Sequence, residues 1–184
     1  MALFDGDALI DSAHRLLGRG HAEQLVPMIA ALDGGGKAKL ILVGCGPGSF
    51  TGVRVGIAAA RALALGWRAE VRGFNSLALV AAAVEGGDGA LVVMDGGHGE
   101  WLIQPFAANG AAESAHISLP PEVAEQLVGA RITGNRAEAY AARFGGGAIN
   151  ALPDARHALS IAAAEAHYPP RPVYARAPDA AVRA

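Results

Sequence analysis

The sequence predicts an α/β protein, and three observations carry that prediction. Short apolar runs of strand length alternate with stretches of helical period in both halves of the chain. Glycine clusters punctuate the alternation, as at Asp33-Gly34-Gly35-Gly36 and Asp95-Gly96-Gly97-His98-Gly99. Between them, the apolar run Leu40-Ile41-Leu42-Val43 leads through Gly46-Pro47-Gly48-Ser49-Phe50-Thr51-Gly52 into a long apolar stretch. Strand, glycine-rich turn and helix is the layout of a phosphate cradle. With 52% apolar and 17% charged residues in 184, there is ample material for a core.

The first half reads as follows. Ala2-Leu3-Phe4 and Ala8-Leu9-Ile10 flank an Asp5-Gly6 turn and predict a hairpin. Leu25, Met28, Ile29 and Leu32 recur at i, i+3, i+4 and i+7, one apolar helix stripe. Pro27 lies inside that pattern and predicts a kink or a shifted start. Leu40 to Val43 reads as a buried strand. A second helix spans about 51–65, with Ser49 or Thr51 as its N-cap. Gly52, Gly56, Ala60 and Ala64 recur every four residues on it, a ridge on which another helix packs closely. Its other faces carry Val53, Val55, Ile57, Leu63 and Leu65, so nearly every side needs cover. A partner helix or burial within the monomer would supply it. A strand over 71–74 and a helix over 76–84 complete this half.

Glu85-Gly86-Gly87-Asp88-Gly89 reads as a linker, dividing the chain into 1–84 and 85–184. Strands follow over 90–94 and 100–106, joined by the Asp95–Gly99 turn. A helix is expected near 122–128, a strand at 131–133, and helices near 135–144 and 154–167. Pro169, Pro170, Pro172 and Pro178 make the tail extended. The two halves read as two versions of one lobe.

Composition and motifs exclude several activities. A net charge of −2 gives no footprint for autonomous nucleic-acid binding. One cysteine, Cys45, forms no internal disulfide and fits a reducing compartment. No charged-then-apolar leader and no membrane-length apolar run occur, so the expectation is a soluble cytoplasmic protein. Val53 stands where a P-loop lysine would follow Gly52, and Ser49 where a Rossmann fingerprint needs its third glycine. The turn keeps backbone freedom without the charges that hold phosphate and metal. Weak anion or nucleotide binding by its amides stays open; no other cofactor or metal is expected. No two of the six histidines share helix-face spacing, and Asp95, His98 and Glu100 suit turn chemistry as well as a ligand set. No Gly-x-Ser-x-Gly elbow occurs. Arg54, Arg61 and Arg68 repeat every seven residues, with Arg72 beyond, either as a phosphate- or carboxylate-binding row or as a solvated edge.

The run Gly46-Pro47-Gly48-Ser49-Phe50-Thr51-Gly52-Val53-Arg54-Val55-Gly56 closely resembles the signature of the bacterial TsaB (YeaZ) family. Gly20 to Ile29, Asn75-Ser76-Leu77, Met94-Asp95 through Glu100-Trp101, and Val173-Tyr174-Ala175-Arg176-Ala177-Pro178 resemble further segments of that family. The resemblance implies two RNase-H-like lobes of the actin/Hsp70/sugar-kinase type. It implies a non-catalytic subunit in the making of threonylcarbamoyl-adenosine beside the tRNA anticodon. Such a subunit pairs with a catalytic relative, TsaD, is joined by a small ATPase, TsaE, and meets tRNA only through the complex. The catalytic relative's metal-holding histidine pair falls here on Ser76 and Val80. Family members begin with a further strand bearing Asp-x-Ser/Thr, so an N-terminal lobe lacking its first strand is expected here.

Leu25, Met28, Ile29, Leu32, Val53, Gly56, Ile57, Ala60 and Ala64 are the expected pairing surface, and Gly46 to Thr51 with Gly52 and Arg54 the turn that aims the helix. The isolated chain is expected to homodimerise. A large charged residue at Gly56 or Ala60 is expected to abolish both pairings. A phosphotransferase of the same superfold, a glycoprotease-like peptidase and an arginine-row RNA module are the rival readings.

Overall fold

The computed structural model describes residues 1–17, 20–84, 89–127, 131–161 and 163–175. The elements run β1 (Ala2–Asp5), β2 (Ala8–Ser12), α1 (His21–Ala30), β3 (Leu40–Gly44), α2 (Phe50–Trp67), β4 (Glu70–Phe74), α3 (Ser76–Ala81), β5 (Ala90–Gly97), β6 (Glu100–Phe106), β7 (Ile117–Leu119), β8 (Arg131–Thr133), α4 (Ala137–Phe144) and β9 (Ala148–Ile149). The fold is mixed α/β. β1 and β2 form an antiparallel hairpin, β3 and β4 a parallel pair, and the rest one five-stranded sheet ordered β7-β6-β5-β8-β9. In that sheet β5 lies parallel to β8 and antiparallel to β6.

The five-stranded sheet holds most of the core. β5 is apolar from Ala90 to Met94, and Ala90 to Val93 are covered on both faces of the sheet. Ala90 and Val92 point to one face, against Leu77, Val80 and Ala81 of α3. Leu91 and Val93 point to the other, against Ala137 and Tyr140 of α4. A smaller core joins Cys45, Val53 and Ile57, with Val43 packed on it.

Three expected helices come out differently. The 76–84 helix ends at Ala81, with the Asn75 side chain capping it by accepting from Leu77 N–H at 3.0 Å. Over 122–128, a single 3₁₀ turn at Pro121–Val123 is followed by extended chain through Leu127, and Val128 lies outside the described residues. Tertiary bonds take the place of helical ones there. The Tyr140 hydroxyl donates to Glu125 O at 3.0 Å and accepts from Leu127 N–H at 2.9 Å, and the Gln126 side chain donates to Phe144 O at 2.9 Å. The 154–167 segment is two 3₁₀ turns, Ala155–Ser160 and Ala163–Glu165, separated at Ile161. Glu165 is spent on contacts with other elements, described below. Residues 85–88 of the expected linker, and Arg176 to Pro178 of the tail, lie outside the described residues.

α1 runs through Pro27 to Ala30, and Ala31 N–H still donates to Pro27 O at 3.0 Å. The β7 and β9 strands escaped the sequence reading. They are three and two residues long, too short to show a period.

Candidate docking site at the strand–turn–helix motif

The turn after β3 is tied down by its own backbone. Cys45 N–H donates to Phe74 O at 2.9 Å. Gly46 N–H donates to Ser76 Oγ at 2.9 Å, and Ser76 N–H returns a bond to Gly46 O at 2.9 Å. Gly46 has φ +99°, and a Cβ there would run into Val173 O. The Gly46–Pro47 peptide is cis. Ser49 is the N-cap of α2, its Oγ accepting from Gly52 N–H at 3.3 Å and its carbonyl from Val53 N–H at 2.9 Å. Gly48, Ser49, Phe50 and Thr51 face solvent. These bonds fix where α2 starts and points.

The proline-rich tail crosses this turn as a strap. Gly73 and Tyr168 exchange backbone bonds of 2.7 and 2.8 Å, and Val173 N–H donates to Cys45 O at 2.7 Å. Arg61 donates to Pro170 O at 2.7 Å, and Arg54 Nε to the Tyr174 hydroxyl at 2.7 Å. The Arg54 guanidinium lies 3.8 Å from the Phe50 ring centre, and Phe50 stacks on Tyr174 at 4.9 Å. At the strap's inner end Glu165 is only 5% exposed. Its carboxylate accepts from Ala112 N–H at 2.9 Å, Asn75 Nδ2 at 2.8 Å and the Tyr168 hydroxyl at 2.9 Å. Asn75 donates onward to Gln104 Oε1 at 3.1 Å. One buried carboxylate thus joins the β4–α3 junction to the five-stranded sheet and the tail.

Burial, and then the Glu165 carboxylate, push the Tyr168 phenol up to about 12. A folded-state value above the ordinary one of 10.0 stabilises the fold fully below the ordinary value, and that stability is lost as pH rises through about 12. Alkaline unfolding is therefore expected to steepen across that window, and Tyr168→Phe to flatten it, read by circular dichroism against pH.

The expected pairing residues do not share one exposed face. Val53, Ile57, Ala60 and Ala64 are buried on the inner side of α2, and Leu32 is buried after α1. Gly56, Leu25, Met28 and Ile29 are half-buried. A Cβ on Gly56 would sit 3.8 Å from Val43 Cγ2, so part of the small-residue ridge faces β3 and lets the helix lie close to the strand. Thr51, Val55, Ala58, Ala62 and Leu65, spaced four, three, four and three residues apart, run along the solvent side of α2 beside the exposed Arg54 and Arg61. Leu65 is 85% exposed and Val55 half-buried. α1 packs beside α2 and presents Ala22, Val26 and Ala30 outward. Sequence periodicity could not rank these faces, because α2 is apolar nearly all round.

The remaining candidate chemistry is dispersed. Ser76 serves the turn, and Val80 is fully buried in the core. Asp95 accepts from Gly97 N–H at 2.8 Å and from Arg136, which together hold its carboxyl below the usual range. Glu100 accepts from Ser118 Oγ at 2.7 Å. The arginine row is divided: Arg54 and Arg61 hold the strap, Arg68 closes α2 at φ 56°, and Arg72 pairs with Glu70 at 2.6 Å. Among the described residues no three His, Cys, Asp or Glu come together to hold a metal, and no helix is long and apolar enough to cross a membrane.

A family model described as "TsaD: tRNA N6-adenosine threonylcarbamoyltransferase" matches residues 15–117, from ahead of α1 through the motif turn to β7. The chain is 31% identical over 143 residues to the Escherichia coli K12 tRNA threonylcarbamoyladenosine biosynthesis protein TsaB, covering 69% of this chain and 62% of that one. The solved structure of YeaZ from Pseudomonas aeruginosa superposes with a TM-score of 0.69 at 26% identity, over 85% of both chains. The chain belongs to the TsaB/YeaZ family. A second solved structure, of a Pseudomonas aeruginosa protein with similarity to peptidase YeaZ, superposes with a TM-score of 0.66 at 25% identity, over 80% of this chain and 77% of that one. The chain spans 62% of the length of the Escherichia coli TsaB that it matches.

Proposed function

We propose that this chain is a non-catalytic docking subunit of the system that places threonylcarbamoyl on the adenosine beside the tRNA anticodon. It pairs through the outer faces of α1 and α2 with a TsaD-type transferase, which TsaE joins, and pairs with itself when that partner is absent. In this reading residues 1–84 and 85–184 are two lobes of the actin/Hsp70/sugar-kinase type, and tRNA is met only within the complex. Membership of the TsaB/YeaZ family supports the pathway, since the Escherichia coli relative carries tRNA threonylcarbamoyladenosine biosynthesis in its name.

The single observation that carries the docking reading is the exposed stripe on α2. Thr51, Val55, Ala58, Ala62 and Leu65 follow the four–three spacing by which one helix seats another. Leu65, 85% exposed at its end, would have that apolar surface removed from water by association. The two positions that the resemblance aligns with the transferase's metal-holding histidine pair, Ser76 and Val80, are committed to the turn and the core, which supports the non-catalytic reading.

The test is light scattering across a concentration series, followed by co-purification with a TsaD-type partner. A concentration-dependent dimer that the partner dissolves into a heterodimer is expected. A chain that stays monomeric and ignores the partner would sink the reading.

A further inference from the structure

The strap is not held evenly along its length. Its inner end is anchored in the interior, at Glu165 and at the Gly73–Tyr168 exchange. Its outer end, from Pro169 onward, is held mostly by groups at the surface, with Ala175 packing against the edge of the core beside α3 and β6. The surface groups are Arg61 on Pro170 O, Arg54 and Phe50 on Tyr174, and His116 Nε2, 3.3 Å from Tyr174 O. Cys45 is where this outer end meets the turn: its carbonyl accepts from Val173 N–H at 2.7 Å, and its thiol contacts Pro169 O and the Arg171 backbone N–H. Contacts that face water open at lower free energy than buried ones.

Cys45 lies beneath. It is fully buried, with Sγ 3.6 Å from Val43 O and 3.9 Å from Pro169 O, and a Cβ on Gly73 would collide with it. Burial pushes the thiol up from its ordinary value. The cover on the solvent side is the strap.

We propose that residues 169–175 form a latch that swings open from an anchor at Tyr168, and that the Phe50–Arg54–Tyr174 clasp sets how often it opens. Opening exposes the Cys45 thiol without unfolding the rest of the protein. Phe50 and Arg54 belong to α2, so each opening also releases the first turn of that helix, whose Ser49 cap makes one long side-chain bond. The effect on docking rests on the reading above; the latch itself does not.

Cys45 is the only cysteine, so thiol labelling of the whole chain reads one site. Labelling by Ellman's reagent under native conditions, at several low urea concentrations, tests the latch. The wild-type rate should depend only weakly on urea, since little surface is exposed on local opening. Arg54→Ala and Tyr174→Ala should each label about tenfold faster or more, the loss expected for a charged hydrogen bond. The double variant should gain little beyond either single one, because both remove the same contact. Arg61→Ala, which leaves the clasp intact, gives a second reading through Pro170 and should also speed labelling. Unchanged rates in all three single variants would overturn the proposal. So would a wild-type rate that follows urea as steeply as global unfolding does.

Discussion

Ala62→Glu is expected to leave a folded monomer. Ala62 is exposed on the solvent stripe of α2, so the substitution touches no packed neighbour within the chain and its effect on stability should stay within about 0.5 kcal/mol. In an associated pair the same side chain would be buried among Ala58, Val55 and Leu65, while the neighbouring cations, Arg54 and Arg61, are engaged by the strap. An unpaired carboxylate at an apolar interface costs several kcal/mol, and about 2.7 kcal/mol is already a hundredfold in dissociation constant. A shift of about that size or more in the light-scattering midpoint, with an unaltered urea midpoint, is therefore the expected pair of readings. An associating Ala62→Glu chain would move the docking face elsewhere. The structure also shows why Ala60→Glu, the variant that the sequence suggests, does not separate the possibilities. Ala60 is 5% exposed on the inner face, so a charge there attacks the fold itself and lost pairing would follow from unfolding.

Tyr140→Ala should have the largest effect on stability. The ring is fully buried, with the Trp101 and Phe144 rings centred 5.7 and 4.7 Å away. Truncating a buried aromatic costs about 3–5 kcal/mol. Its hydroxyl also bonds Glu125 O and Leu127 N–H; both residues are exposed, so water can take its place and the loss adds about 0.5–1.5 kcal/mol. The sum reaches the lower end of the margin of a domain, about 5–15 kcal/mol. Urea unfolding should find the Tyr140→Ala midpoint lowered by the equivalent of at least about 3 kcal/mol. Tyr140→Phe keeps the ring and should lose only the hydroxyl's share. A Tyr140→Ala chain within about 1 kcal/mol of wild type would mean that the 120–127 segment is not pinned by this side chain.

Tyr140 also shows where the sequence stops being informative. The hairpin, the β3–turn–α2 unit and the β5–β6 pair are legible because their signals are local: an Asp-Gly turn, a glycine-rich run, a Ser N-cap, unbroken apolar strands. The 122–128 segment has a plausible helical pattern too, yet a hydroxyl more than ten residues away supplies its hydrogen bonds in another conformation. The 154–167 segment misleads for the same reason, because Glu165 turns inward to Asn75, Ala112 and Tyr168. No periodicity encodes such partners. The pairing stripe fails differently. Local pattern identifies α2 as apolar on nearly every side but does not say which side the rest of the chain will cover, and Val53, Ile57, Ala60 and Ala64 are buried on that side. The motif turn was legible as a turn, while its cover, the strap, was visible only as a run of prolines.

The bridge between Gly73 and Tyr168 has a consequence for how the protein is made. Synthesis from the N-terminus delivers β3, the motif turn and α2 long before the residues that close over them. Until Tyr174 has cleared the ribosome, Cys45 lacks its lid and Arg54 its aromatic seat. A nascent chain stalled short of that point should offer its thiol to solvent, and the late arrival of one short stretch would then mark the end of folding for a segment translated 120 residues earlier.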